Sequence, residues 1–268
     1  MGIEFQRCDF ADGEVLALEL AEWTAERLRA SIAERGAALL VVSGGKTPAR
    51  FFDALSSIPL DWTRVEITLA DERRVDEDSP RLNARLVRDD LLRNHAMVAN
   101  FTPLADARLS ESQELVSASA RVACLPLPAD VVVLGMGEDG HTASWLPGAE
   151  GLAEAMDPGA RQLVAPVEAV GEYEPRLTLT GRVILRAKAI ALHIEGEAKL
   201  RALAAALEAG PEEEMPVRAV LRRGADRLTV FSTARSWQAR HQALTDGHPP
   251  LSSGRKASSG LIVDTSSK

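Results

Sequence analysis

Apolar side chains recur at helical spacing near the start of the chain. Within Glu14–Arg35 they alternate with glutamates and arginines, and the run ends at Gly36. This pattern predicts an amphipathic helix with a glycine stop. The residues that follow, Ala37–Val42, are all apolar and break at Ser43-Gly44-Gly45, and a second periodic segment begins after Pro48. Here the sequence predicts a buried strand, a glycine loop and a helix with the proline near its first turn.

The same alternation of strand and helix continues along the chain. The further predicted strands are Val65–Ala70, Asp130–Leu134, Ala189–Ile194 and Leu228–Ser232, and the further predicted helices are Asn83–Asn94, Glu197–Glu208 and one near Arg235–Leu244. Strands that are apolar on nearly every residue and separated by helices indicate a mostly parallel sheet covered on both faces. We therefore predict an α/β fold with a doubly wound, Rossmann-like sheet and helices on both faces.

Domain organisation is predicted to be simple. No linker or internal repeat divides the body of the chain, so we expect residues 1–246 to form a single domain. The final segment, residues 247–268, is rich in proline, serine and glycine and has little periodicity. It is predicted to be a disordered tail, and no function is assigned to it.

Composition narrows the class of protein. The chain has 268 residues, 46% of them hydrophobic, and a formal charge of -8. A chain of this length can bury a large core without disulfides or a structural metal. No uncharged apolar run approaches the roughly 20 residues that span a bilayer, and the first residues lack the layout of a signal peptide, so we expect a cytoplasmic protein without a membrane partner. The acidic balance argues against nucleic acid as a partner, and we expect a monomer or a weak homo-oligomer.

Cysteine usage gives no sign of a disulfide framework. Cys8 and Cys124 are the two cysteines, and neither has a second cysteine or a histidine at metal-ligand spacing. We predict two reduced, partly buried thiols.

Three polar clusters each follow a predicted strand. They are Ser43-Gly44-Gly45-Lys46-Thr47-Pro48, Asp71-Glu72-Arg73-Arg74, and Gly135-Met136-Gly137-Glu138-Asp139-Gly140-His141-Thr142-Ala143-Ser144. Ligands of open parallel sheets bind outside the carboxyl ends of the strands. If these strands are neighbours, a single crevice contains all three clusters.

The first two clusters each allow a structural and a functional interpretation. A Ser-Gly-Gly turn is often only a tight connection, but Lys46 and Thr47 beside a helix N-terminus favour an anion site. The glycine spacing fits neither a Walker A loop nor the dinucleotide fingerprint. Asp71 and Arg73 belong to a run that is either a solvated charge cluster or, from its place at a strand end, part of the site.

His141 is the most informative single residue of the third cluster. A lone histidine is commonly structural, but a neutral imidazole in this glycine-rich loop can accept a proton from water near pH 7. Asp139 either orients that ring or forms an Asx-turn that shapes the loop. Ser144 is disfavoured as a nucleophile because Gly-x-Ser-x-Gly is absent, and no second histidine near His141 supports a metal. The residues alone indicate a hydrolase or isomerase acting on a small phosphorylated molecule.

The motifs taken together resemble the 6-phosphogluconolactonase family. The resemblance rests on Ser43–Pro48, on Asp71–Val75 with Asn83, on Gly135–Gly148, and on the weaker motifs Arg176-Leu177-Thr178-Leu179 and Gly196-Glu197-Ala198-Lys199. Asp76, Leu82 and Lys46 depart from residues that are common in the family. The resemblance implies hydrolysis of 6-phospho-D-glucono-1,5-lactone to 6-phosphogluconate in the oxidative pentose phosphate pathway, without a metal or organic cofactor. It also implies a fold shared with glucosamine-6-phosphate deaminases and ribose-5-phosphate isomerases.

The family also implies roles for individual residues. His141 would be the general base, Asp139 would support its orientation, and Arg73 would stabilise or position the polarised carbonyl group. The residues expected to bind the phosphate and the sugar are Ser43, Gly44, Gly45, Lys46, Thr47, Asp71, Arg176 and Lys199.

Two other functions on the same scaffold remain open. An amino-sugar-phosphate isomerase-deaminase would share the glycine loop and Asp-Gly-His, but such enzymes continue with Ile-Ala-Phe-Asn-Glu-Pro where this chain has Thr142-Ala143-Ser144-Trp145-Leu146-Pro147. A catalytically silent sugar-phosphate sensor would need the phosphate site but not a base beside the carbonyl group. The presence of His141 and Arg73 argues against that second alternative.

Overall fold

The secondary structure is given by a computed structural model, which describes residues 4–45, 47–106, 108–168 and 174–233. In these ranges the strands are β1 (Gln6–Phe10), β2 (Ala38–Val42), β3 (Val65–Leu69), β4 (Asp71–Arg73), β5 (Asn100–Thr102), β6 (Val131–Leu134), β7 (Val164–Val167), β8 (Arg176–Leu179), β9 (Ala189–Ile194) and β10 (Leu228–Thr233). The α-helices are α1 (Gly13–Arg35), α2 (Ala49–Ser56), α3 (Asn83–Leu86), α4 (Glu111–Ala123), α5 (Leu152–Met156), α6 (Gly181–Ile184), α7 (Glu197–Leu207) and α8 (Val217–Arg223).

Seven of the strands form a parallel sheet in the order β1-β10-β9-β6-β2-β3-β5. Every residue of β2, β6 and β9 is buried, whereas the edge strands β1 and β5 are partly exposed. This agrees with the rule that apolar runs form the interior of parallel sheets. The predicted α/β fold with a mostly parallel sheet is confirmed. Because β6, β2 and β3 are adjacent, the three polar clusters do meet at one edge.

A second sheet was not predicted from the sequence. It is antiparallel, with the order β4-β8-β7. The Asp71–Arg73 segment, expected only as a polar cluster after a strand, forms β4 of this sheet. Ala70 joins the two sheets, because its N–H donates to Val42 of β2 and its carbonyl accepts from Leu179 of β8, each at 2.8 Å.

The first helix is capped at both ends, and its predicted glycine stop is confirmed. Asp12 accepts hydrogen bonds from the backbone N–H groups of Glu14 and Val15, which satisfies two donors of the first turn. Gly36 ends the helix in a left-handed conformation with φ 81°. The fully buried side chains of this helix include Leu16, Leu20, Ala25 and Leu28.

Several predicted boundaries differ from the structure. Helical structure that begins at Asn83 ends at Leu91 rather than Asn94, and its second half is a π-turn in which Leu92 bonds back to Val87. Helix α4 was missed, although Ser110 and Gln113 form a capping box at its start. The predicted helix near Arg235–Leu244 and the predicted tail at 247–268 lie outside the described residues.

Two further findings concern membrane-spanning helices and the cysteines. No helix in the described part of the chain is long and apolar enough to cross a membrane. Both cysteines are free, and Cys8 is partly buried as predicted. The prediction is wrong for Cys124, which is exposed because it lies at the C-terminal cap of α4.

Candidate active site

A cleft opens where the carboxyl ends of the central parallel strands meet β4. The predicted site residues that line it are Ser43, Gly44, Gly45, Thr47, Asp71, Arg73, His141 and Lys199. Asp139 lies directly behind His141, Arg176 lies behind Asp71, and Lys46 is outside the described residues. The predicted convergence of the polar clusters on one crevice is therefore confirmed by the arrangement of the chain.

His141 and Asp139 form a hydrogen-bonded pair at the end of β6. Nδ1 of the imidazole lies 2.6 Å from Oδ1 of Asp139, which also accepts the backbone N–H of His141 at 3.1 Å. Burial acts to raise the pKa of Asp139, but hydrogen bonds from His141 and attraction to it outweigh burial and hold the pKa below its ordinary value. An ionised carboxylate accepts only, so the neutral ring has its proton on Nδ1 and a free acceptor at Nε2.

The loop that holds this pair depends on close backbone approach. A Cβ atom at Gly137 would overlap the imidazole of His141 and the carboxylate of Asp139. The loop is closed by a hydrogen bond from Gly137 N–H to the His141 carbonyl at 2.9 Å. A second bond runs from the Thr142 hydroxyl to the Gly135 carbonyl at 2.8 Å. The imidazole of His141 is thus positioned by packing against Gly137 as well as by its hydrogen bond to Asp139.

Arg73 projects into the cleft from β4. Its Nη1 donates to the Arg81 carbonyl at 2.5 Å, whereas its Nε is buried and no described residue accepts a hydrogen bond from it. A buried donor of this kind is costly unless a ligand or water pairs with it. The neighbouring Arg74 points to the other side of the strand and pairs with Glu114 on α4. Of the two adjacent arginines, only Arg73 can act on a bound ligand.

The Glu72 side chain stabilises the segment around Arg73 through hydrogen bonds to the backbone. This buried carboxylate accepts backbone N–H groups of Arg73 and Asn83 at 2.8 Å and of Ala84 at 2.7 Å. Burial raises the pKa of Glu72 to about 7, although these three hydrogen bonds act to lower it. Asn83 also lies against Gly44, where a Cβ atom would overlap its amide group. The arginine strand and the glycine loop are therefore packed against the same asparagine.

Lys199 and Thr47 meet in the wall of the cleft, beside the N-terminal end of α2. Nζ of the lysine donates to the threonine hydroxyl at 3.0 Å. Burial lowers the pKa of Lys199, while the nearby carboxylates of Glu195 and Glu138 act to raise it. Ser43 also lines the cleft, and its buried hydroxyl has no hydrogen-bond acceptor or donor among the described residues. A lysine, hydroxyl groups and backbone amides at a helix start form a suitable site for a phosphate group.

Comparison with known proteins identifies the family. A family model described as glucosamine-6-phosphate isomerases/6-phosphogluconolactonase matches residues 11–230. The chain belongs to this family. A relative from Mesorhizobium japonicum named 6-phosphogluconolactonase is 49% identical over 222 residues, covering 83% of this chain and 92% of the relative. Another of that name, from Pseudomonas aeruginosa, is 50% identical over 205 residues, covering 76% and 85%.

Solved structures of this family share the fold. The crystal structure of a 6-phosphogluconolactonase from Shewanella baltica has a TM-score of 0.82 and 39% identity, covering 87% of this chain and all of that chain. A monomeric glucosamine-6-phosphate deaminase has a TM-score of 0.68 at 20% identity, covering 86% and 97%. At that identity the likeness to the deaminase is one of fold alone.

Arg176 and Asp71, which the family resemblance implies as substrate-binding residues, have contacts that the sequence did not predict. Arg176 is buried behind the cleft wall, where its Nη1 lies 3.8 Å from Asp71 and 3.4 Å from the Ser144 hydroxyl. Asp71 lines the cleft, but its Oδ2 accepts the Ser144 hydroxyl at 2.5 Å. Phosphate binding by Arg176 and ligand binding by Asp71 remain predictions.

Sequence reasoning missed a second histidine in the cleft. His193 lies on β9, is 2% exposed, and its Nε2 is 2.9 Å from Glu195. It is the one polar residue in the apolar run of β9, and that is the signal that could have found it. In the part of the chain that the structure describes, no three histidine, cysteine, aspartate or glutamate side chains form a group that would hold a metal ion.

Proposed function

We propose that this chain hydrolyses 6-phospho-D-glucono-1,5-lactone to 6-phospho-D-gluconate, a step of the oxidative pentose phosphate pathway. The names of the relatives support the reaction. The contact between His141 and Asp139, in a cleft that also contains Arg73 and the glycine loop, is the observation that best supports the mechanism.

Substrate binding begins at the phosphate end. In this proposal the phosphate group binds Lys199, Thr47 and the backbone amides of Gly44 and Gly45, and their position in the cleft wall next to α2 supports this binding. Charge-assisted hydrogen bonds of this kind are the strongest available to a phosphate. The lactone carbonyl group then extends toward His141 and Arg73.

His141 acts as the general base. Asp139 fixes Nδ1 as the donor, so Nε2 accepts a proton from water as that water attacks the carbonyl carbon at C1. The carbonyl electron pair moves to its oxygen, and the guanidinium of Arg73 stabilises the resulting oxyanion.

Collapse of the tetrahedral intermediate opens the ring. The carbonyl bond re-forms, the bond between C1 and the ring oxygen breaks, and the ring oxygen takes the proton from the imidazolium of His141. The new carboxylic acid then loses its proton to solvent. The base returns to its neutral form, and atoms and charge balance across the reaction.

A coupled assay tests the proposal. Glucose-6-phosphate dehydrogenase generates the lactone in place, and the second phase of NADPH formation is followed with 6-phosphogluconate dehydrogenase, with and without the protein. General-base catalysis is worth roughly 10²–10⁴-fold, so His141→Asn should lose turnover by that factor and keep its affinity for the phosphate. His95 is exposed and outside the cleft, so His95→Asn is the matched control. Equal rates with wild type, both variants and no protein would refute the proposed function.

The same protein can be tested for the rival reaction. The family model includes glucosamine-6-phosphate isomerases, so ammonia release from glucosamine 6-phosphate is the discriminating measurement. We expect none above background. A substantial rate would replace the lactonase assignment. Thermal stabilisation by 6-phosphogluconate without turnover would instead indicate a sugar-phosphate sensor.

A further inference from the structure

Ser144 follows the base loop and is fully buried. Its hydroxyl donates to Oδ2 of Asp71 at 2.5 Å, and Arg176 approaches the same hydroxyl at 3.4 Å. Its backbone N–H lies 3.4 Å from the hydroxyl of Thr178. These partners all belong to β4 and β8, so the serine joins the base loop to the small antiparallel sheet.

We propose that Ser144 is a positioning residue, which sets the separation of the base His141 from Arg73 through its hydrogen bond to Asp71. The inference rests on the proposed function. Asp71 and Arg73 are two residues apart on one strand and both line the cleft, as alternation along a strand requires. One end of β4 therefore holds the base loop while the other presents the cation to the substrate.

The backbone next to Ser144 needs such an anchor. Ala143 adopts a left-handed conformation with φ 48°, which is unfavourable for a residue with a Cβ atom. The conformation persists only where its surroundings fix it. Directly after Ser144, the Trp145 indole N–H donates to the Leu179 carbonyl at 3.2 Å, so the chain is bonded to β8 at two successive residues.

The same contact explains why Asp71 is not the base. One of its carboxylate oxygens already accepts the Ser144 hydroxyl, and Arg176 lies 3.8 Å from that oxygen. The hydrogen bond orients this oxygen toward Ser144 rather than toward a bound water. The proton transfer is thus left to His141.

The chain offers a matched control at the opposite end of the sheet. Ser31 is also buried, and its hydroxyl donates to Asp130 at 2.7 Å. Asp130 is likewise buried and paired with cations, among them Lys188 at 3.2 Å. Ser144→Ala and Ser31→Ala therefore remove the same type of hydrogen bond, one beside the cleft and one far from it.

Steady-state kinetics and melting temperature are measured for both variants. A small misplacement of a catalytic group can cost about 10²-fold in rate, so Ser144→Ala should lower kcat roughly 10- to 100-fold and leave KM within about twofold. Ser31→Ala should lower the melting temperature by about as much as Ser144→Ala does, because the same type of hydrogen bond is lost, and it should leave kcat unchanged. Ser144→Cys keeps a weaker donor at the same position, so its kcat should lie between those of wild type and Ser144→Ala.

The outcomes distinguish a failure of the proposed function from a failure of the positioning role of Ser144. If the wild type does not accelerate lactone hydrolysis, the proposed function fails, and the positioning role fails with it. If the wild type is active but Ser144→Ala keeps the kcat of Ser31→Ala, only the positioning role is overturned. Should Ser144→Ala fail to fold, the comparison of Ser144→Cys with Ser31→Cys decides, and equal kcat values overturn the role.

Discussion

Replacing Glu72 with glutamine should change how the stability of the protein depends on pH. This carboxylate is fully buried beneath Arg73 and accepts three backbone hydrogen bonds. Burial raises its pKa from 4.5 to about 7. Glutamine keeps the shape and one acceptor oxygen but cannot take up a proton.

Proton linkage gives the sign of the change in unfolding free energy with pH. Between pH 4.5 and about 7 the folded protein holds a proton on Glu72 that the unfolded chain has lost. The free energy of unfolding therefore falls as pH rises through this interval, and the contribution is constant below and above it. At about 1.4 kcal/mol per pH unit, the interval corresponds to about 3 kcal/mol.

Urea unfolding of wild type and Glu72→Gln at several pH values provides the assay. The difference in unfolding free energy, wild type minus variant, should decrease by about 3 kcal/mol between pH 4.5 and 7.5. The lost hydrogen bond to Ala84 adds an offset to that difference that does not vary with pH. Glu34→Gln, which removes an exposed carboxylate, controls for the general effect of a charge. A difference that changes by less than about 1 kcal/mol across the range would refute the argument.

Two further substitutions test the proposed roles of Asp139 in catalysis and of Lys199 in phosphate binding. Asp139→Asn should lower kcat by about 10²-fold or more with KM little changed, because an amide no longer fixes the proton on Nδ1 of His141. A variant with kcat close to wild type in the coupled assay would remove Asp139 from the mechanism. Lys199→Gln should raise KM by roughly 10- to 100-fold, since a charged hydrogen bond is worth about 1.5–3 kcal/mol. Unchanged KM, together with unchanged inhibition by inorganic phosphate, would place the phosphate elsewhere.

The strongest parts of the sequence pattern predicted the large sheet well. Runs such as Ala38–Val42 and Ala189–Ile194 are apolar throughout, and burial on both faces leaves a continuous signal. The glycines and polar residues that follow these strands then predicted the position of the cleft. Edge strands lack this continuous apolar signal. Strand β1, Gln6–Phe10, is partly exposed and contains several polar residues, so the hydrophobic pattern does not predict it.

The predicted site residues differ in how far their positions could be foreseen. His141 and Asp139 are two residues apart in one loop, so local spacing was enough to pair them. Arg176 meets Asp71 because β8 pairs with β4, and the two strands are more than 100 residues apart in sequence. Ser144 meets Asp71 from the loop after β6, 73 residues away in sequence. No local pattern records such a pairing. The spacing of residues in the sequence does not predict the contact of Ser144 with Asp71.

The cleft depends on the register of β4, a strand of only three residues. The chain passes into it directly from β3 through Ala70, which is bonded to both sheets. A shift by one residue would exchange the faces of the strand and present Arg74 to the cleft in place of Arg73. A hydrophobic pattern cannot specify so short a strand, but two polar contacts can. On one face Asp71 bonds to Ser144, and on the other Arg74 pairs with the buried Glu114 of α4. Each contact is lost if the strand slips, so the hydrogen bond to Asp71 and the ion pair of Arg74 stabilise the register that presents Arg73 to the cleft.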